Sequence, residues 1–334
     1  MKPIHLILIL GMTLTLGVGL PDAVLAKAPE TALIVFTSSR LDGNKRDIYV
    51  MEKDGSDETN LTAHPADDFH PAWSPTGEQI LFVSDRDGIR DLYLMDADGG
   101  NVRRVFKEKT HREDPGWSPD GRWIVFTRPA AATLNIATPD GHAETSIAPI
   151  DFRTVGSAWS PDGTEIAFDS WRMRRIQLLH VPTRNIAVLL PQLRFVMQTA
   201  AWSPDGDQLA FAGVKRPMDP MGPREVLSQL AIYVVNRDGT EVRHLVGGKG
   251  AAAMKPVWSP RGDAILYQQK VKNLFNFEKV QIFKRVFGRD APQQLTDIGR
   301  NHDADWFDPA YALPVSPQPH LLTTQWGALK AKAP

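Results

Sequence analysis

The chain has 334 residues, 42% apolar and 23% charged, the proportions of a globular protein with a core, which excludes wholesale disorder. Its 38 Lys and Arg nearly balance 39 Asp and Glu, a formal net charge of -1, so no global field draws it to phosphate backbones or anionic lipid, and nucleic acid is not expected as a partner. Cysteine is absent, which removes disulfides, thiol catalysis, Cys-ligated zinc and the lipid-attachment cysteine of a lipoprotein.

Residues 1–26 pair a basic start at Lys2 with an apolar run from Ile4 to Leu20, interrupted by Gly11, Gly17 and Gly19, and end in Val24-Leu25-Ala26. That is the layout of a secretory signal peptide with a small-residue cleavage site. The alternative is an uncleaved anchor, for which the run is short. No later segment reaches a transmembrane length, so the mature chain is expected to be periplasmic or secreted. Residues 27–31 form a short lead-in.

The first strand is expected at Ala32–Thr37, followed by strands at Asp47–Val50 and near Thr59–Thr62. From there one phrase repeats: Trp73-Ser74-Pro75-Thr76-Gly77, Trp117-Ser118-Pro119-Asp120-Gly121, then copies opening at Trp159, Trp202 and Trp258, with a worn sixth at Trp306-Phe307-Asp308-Pro309. The tryptophans lie 44, 42, 43, 56 and 48 residues apart, the period of a four-stranded propeller blade. Within each period Ser-Pro-Asp-Gly presets a tight turn, and a β-rich run follows, as at Gln79–Ser84, Glu165–Asp169 or Ala264–Gln268. A third strand such as Asp91–Met95 or Ile232–Val235, an Asp-Gly turn, and a fourth strand such as Glu241–Val246 complete the unit.

The mature N-terminus enters at the second strand of a blade with no Trp-bearing strand before it, whereas the segment Asp303–Phe307 is a Trp-bearing strand with no successors. The two ends are therefore expected to share one blade. The fold class read from the chain is all-β, a six-bladed propeller over residues 32–309 closed by its N- and C-terminal strands, with no exposed sheet edge. Residues 310–334 form a C-terminal tail, read as packed against the propeller through Leu321–Trp326 or as a docking tail.

The grammar resembles that of the TolB-like, WD-type propellers, carried most fully by Trp73–Gly77, Ile80–Ser84, Asp85-Arg86-Asp87-Gly88 and Leu92-Tyr93-Leu94-Met95. The resemblance spans about residues 32–309 and implies the fold with high specificity and the function with little. It also implies an N-terminal α/β domain for which there is no room after Lys27, so a propeller-only relative is expected.

In a four-stranded meander the Ser-Pro-Asp-Gly and Asp-Gly turns share one face, and the second-to-third turns share the other face with the blade-to-blade connections. The first face is uniform. The second carries the length variation, including Gly213–Ser228 and Lys270–Lys279, and is the expected partner surface, with Met218, Met221, Phe275 and Phe277 as apolar contacts and Lys270 and Lys272 as cations; a self-packed hairpin is the other reading. The same face receives the residues three before each tryptophan: His70, Asp114, Gly156, Thr199, Lys255 and Asp303. With neighbours Asp68, His111, Arg153, Gln198 and His302 they form a candidate polar channel mouth, or alternatively cap strands and hold water.

Enzymatic readings have less support. His70, His111 and His302 lie three, six and four residues before their tryptophans, so they do not occupy equivalent ligand positions, and there is no Gly-x-Ser-x-Gly elbow or phosphate-cradling glycine loop. The expectation is a monomeric, non-enzymatic propeller without cofactor or metal that binds a protein or peptide partner in the bacterial envelope. A small-ligand or glycan-processing propeller using the channel mouth is the alternative.

Overall fold

A computed structural model describes residues 27–40, 45–151, 156–170, 172–215, 228–248, 250–272 and 278–314. The first strands are β1 (Leu33–Ser39), β2 (Asp47–Glu52) and β3 (Thr59–Asn60). The next blade is β4 (Asp68–Trp73), β5 (Gln79–Ser84), β6 (Asp91–Asp96) and β7 (Arg103–Arg104), followed by β8 (Glu113–Trp117), β9 (Ile124–Arg128), β10 (Thr133–Ala137) and β11 (Thr145–Pro149). Then come β12 (Ser157–Trp159), β13 (Glu165–Ser170), β14 (Arg175–His180) and β15 (Asn185–Val188), and after them β16 (Phe195–Trp202), β17 (Gln208–Lys215), β18 (Ala231–Asn236) and β19 (Arg243–Gly247). The last blade holds β20 (Ala253–Trp258), β21 (Ala264–Lys272), β22 (Glu278–Val286) and β23 (Gln293–Gln294), and β24 (Arg300–Phe307) ends the series.

These strands make six four-stranded antiparallel sheets, and the sixth has the order β24-β1-β2-β3. The C-terminal strand supplies the inner strand missing at the N-terminus, with Leu33 opposite Phe307 and Ile34 opposite Trp306. The architecture is the expected six-bladed propeller, closed where its two ends pair.

The repeated turn holds its shape by side-chain bonding. Ser118, Ser160 and Ser203 each accept a hydrogen bond at Oγ from the backbone five residues on, at 2.9 Å, and donate to the aspartate two residues on. Its glycine sits at positive φ, and at Gly77 (φ 74°) no side chain would fit, because a Cβ would lie 2.1 Å from the Phe307 ring. The tryptophans fill the clefts between blades. Trp117 Nε1 donates to the Ala72 carbonyl and Trp258 Nε1 to that of Ala201, both at 3.2 Å, so each of these indoles ties an inner strand to the one before it.

Between the sheets lie fully buried aromatics at one repeated position: Phe36, Phe82, Phe126, Phe168, Phe211 and Tyr267. Arginine guanidinium groups cover several of them and are themselves paired. Arg86 lies over Phe82 and binds Asp68, and the buried Arg112 stacks 3.8 Å over Phe106 while binding Asp91 and Glu144.

The inserted length on the variable face is only partly loop. β21 and β22 stay paired from Ala264 opposite Val286 out to Lys272 opposite Glu278, so that insertion lengthens a two-stranded ribbon. β17 likewise runs to Lys215, opposite Phe195.

Candidate functional site

Three residues before each tryptophan the backbone of the inner strand turns left-handed. His70 has φ 53°, Asp114 53°, Gly156 80°, Thr199 45°, Lys255 50° and Asp303 52°. In five blades the pairing of inner and second strand slips at this point: Phe69/Ala72, Glu113/Gly116, Gln198/Ala200, Met254/Val257 and, on the partner of β24, Val35/Thr37. These are bulges, and a bulge re-aims the side chain it carries. A non-glycine residue in this region costs roughly 1–2 kcal/mol, and five of the six positions bear it. All six residues line a central cavity of about 380 Å3.

Four of the six side chains converge. His70 Nδ1 lies 3.4 Å from Asp114 Oδ1, and its Nε2 lies 3.4 Å from Asp303 Oδ2 and 3.5 Å from Lys255 Nζ. Lys255 in turn forms an ion pair with Asp303. The chain Lys255–Asp303–His70–Asp114 therefore links four successive blades around the axis. Second strands hold it from behind: Thr37 Oγ1 accepts from the His70 amide (3.1 Å), Thr127 Oγ1 donates to Asp114 (3.4 Å), and Gln268 Nε2 donates to Asp303 (3.4 Å).

Burial raises the pKa of Asp114, with His70 and Lys255 opposing it only in part. For Asp303 burial acts in the same sense but is outweighed by His70, Lys255 and His302, which hold this carboxyl well below the usual range. Lys255 stays protonated, its pKa raised because Asp303 and Asp114 outweigh its desolvation. On the other side of the ring, Thr199 Oγ1 and Ser157 Oγ are buried and have no hydrogen-bond partner among the described residues.

Two residues further along each inner strand, the cavity is lined by Ala72, Gly116, Ala158, Ala201, Val257 and Asp305. The carboxylate in this ring of small residues accepts hydrogen bonds from two backbone amides, Trp73 N of the next blade at 2.7 Å and Trp306 N at 2.9 Å. Burial pushes its pKa up to about 6 despite them. Sequence reading passed over Asp305; the available signal was a carboxylate in a repeat column otherwise filled by alanine, glycine and valine.

Of the residues expected at the channel mouth, the structure brings His70, Asp114, Lys255 and Asp303 to the cavity. His302 sits beside them, its pKa lowered by burial against the pull of Asp303, and neither it nor Gln198 lines the cavity. Asp68 is fully buried against Arg86 at 2.9 Å and holds the blade together. His111 is half-exposed with Nε2 3.0 Å from Glu113, and Arg153 lies outside the described residues. Among the described residues no three His, Asp or Glu side chains are arranged to hold a metal ion.

On the loop face Met218, Met221, Phe275 and Phe277 lie outside the described residues. Lys270 is partly buried and stands opposite Val280, and Lys272 stands opposite Glu278. Residues 1–26, where a signal peptide is expected, also lie outside the described residues, as do residues 315–334 of the tail; no helix among the described residues is long and apolar enough to cross a membrane.

Residues 25–145 match the sequence profile of the TolB β-propeller domain. Over this stretch the chain is similar to the TolB propeller domain. Among solved structures, the propeller resembles TolB from Acinetobacter baumannii with a TM-score of 0.68 at 17% identity, covering 82% of this chain and 66% of that one. A protein assigned to TolB from Agrobacterium tumefaciens gives 0.61 at 17%, covering 85% and 99%. The nidogen/laminin complex gives 0.60 at 12%, covering 82% and 98%. The propeller thus spans just under two thirds of the Acinetobacter protein and nearly all of the Agrobacterium one. No curated protein matches its sequence significantly.

Proposed function

We propose that this propeller is an exported, non-enzymatic binding module of the bacterial envelope that engages a protein or peptide partner on the face bearing the long connections, around the mouth of its channel. The observation that carries the reading is the ring of bulges. Five strained, non-glycine residues aim their side chains into one cavity, although glycine would adopt this backbone at lower cost. Strain concentrated at one place and repeated blade after blade supports recognition there more than scaffold. The TolB-like fold supports the envelope setting, and the uniform Ser-Pro-Asp-Gly face opposite supports a one-sided binding surface.

The test is affinity capture from envelope extracts with the mature chain as bait. Three altered baits are compared with it: one lacking residues 214–228, one with Phe275 and Phe277 replaced by serine, and Lys255→Met/Asp303→Asn. Loss of the same captured protein from at least one altered bait that remains folded is expected. A full set of partners retained by all three would overturn the reading.

A further inference from the structure

Beyond that reading, the channel itself holds a second level of chemistry. Every carboxylate in the upper ring has a basic neighbour: Asp114 has His70, and Asp303 has both His70 and Lys255. Asp305 has none among the described residues, and its two contacts are backbone amides, one to each oxygen. A carboxylate offers about four lone-pair sites, so half of its capacity is left over, and the side chain lines the cavity. A charge buried in this way is costly unless it finds a counter-charge.

The surroundings define what could supply one. Asp305 lies two strand residues past the bulge ring, about 7 Å at roughly 3.3 Å per residue, among Ala72, Gly116, Ala158, Ala201 and Val257. Small apolar side chains at that level leave room for a slim aliphatic stem and offer it no polar partner. Above it, Ser157 and Thr199 line the same cavity, with their hydroxyl oxygens buried.

We propose that the channel is a receptor for a primary ammonium group on an unbranched alkyl stem, whose head reaches Asp305 while its stem fills the ring of small residues. A four-carbon stem spans the distance from the bulge ring to this carboxylate. The ammonium has three donors, enough to use the unfilled lone pairs of Asp305. Two sources share this chemistry: the lysine side chain of a protein segment and a free aliphatic diamine.

Isothermal titration calorimetry of the mature protein at pH 7.5 tests this with three probes: cadaverine, a capped tripeptide with one central lysine, and the same tripeptide with that lysine acetylated. Binding of cadaverine alone identifies a free diamine as the ligand source, and binding of the lysine tripeptide identifies a protein side chain. Acetylation should weaken the peptide at least tenfold, because it removes the charge and keeps the stem. Asp305→Asn should weaken the bound probe to a similar degree. Ala201→Leu and Ala158→Leu, which narrow the ring without touching the carboxylate, should abolish binding in whichever keeps its circular dichroism and denaturation midpoint. No heat with either amine at millimolar concentration, equal affinity for the acetylated peptide, or full binding by a folded Asp305→Asn protein would overturn the proposal. None of these outcomes bears on envelope capture, so the two readings fail separately.

Discussion

Asp305→Asn offers a thermodynamic test of the seam that closes the ring. The Asp305 carboxyl has a pKa of about 6 in the folded protein against an ordinary 3.8, so it holds its proton more tightly folded than unfolded. A group shifted upward in this way contributes stability that is fully present below the unfolded pKa, near 4, and is lost as pH rises through 6. At 1.36 kcal/mol per tenfold change, the amount lost across that window is roughly 3 kcal/mol. Asparagine does not titrate there, but it has one acceptor oxygen where Asp305 uses two, to Trp73 N and Trp306 N, and the missing hydrogen bond costs about 1 kcal/mol. The variant is therefore expected to be slightly less stable than the wild type at pH 4 and about 2 kcal/mol more stable at pH 7.5. Urea unfolding followed by tryptophan fluorescence at pH 4.0, 5.5, 6.5 and 7.5 measures it. Asp68, Asp91 and Asp114 also have raised pKa values, but they titrate in both proteins, so the difference between the two curves isolates position 305. Curves that run parallel across the whole range would refute the argument that this carboxylate is held against its own desolvation.

Lys255→Met leaves Asp303 with only His70 as a basic contact and should lower the unfolding free energy by about 2 kcal/mol, whereas Lys255→Met/Asp303→Asn should recover most of that loss; denaturant midpoints of the three proteins decide it. Arg112→Ala strips Asp91 and Glu144 of a buried guanidinium and should cost about 3–5 kcal/mol, seen as a collapse of the thermal midpoint. Gly77→Ala combines positive φ with a methyl aimed into the Phe307 ring and should cost at least about 2 kcal/mol. Adding Phe307→Leu should return the steric part of that loss but not the backbone part, and full recovery would mean the positive φ at Gly77 carries no strain.

The blades could be read from the chain because the signal for them is local and recurs: five copies of a turn whose serine bonds its own backbone, three of them with an aspartate that does the same, each followed by an apolar run. Closure was legible for a different reason, since among the described strands the last, with Trp306, is an inner strand and the first, from Leu33, is a second strand. Counting three residues back from each tryptophan also found the residues that line the channel, since a repeat places equivalent positions on one ring. What counting could not supply was direction. Of the six left-handed residues only Gly156 betrays its backbone by its identity, and nothing in His70, Asp114, Thr199, Lys255 or Asp303 marks φ as positive. By residue identity alone, residues a step or two away are equal candidates for the channel. That is why Asp68, His111, Gln198 and His302 were grouped with it, although Asp68 is spent on Arg86 and His111 on Glu113. Asp305 escaped notice for the complementary reason. Its column is otherwise apolar, and a single carboxylate there looks like decay of a worn repeat until its oxygens are seen to hold the amides of Trp73 and Trp306. The same degeneracy that weakens the sixth copy as a motif is thus what gives the channel a carboxylate without a basic neighbour among the described residues, and it falls on the strand that seals the ring.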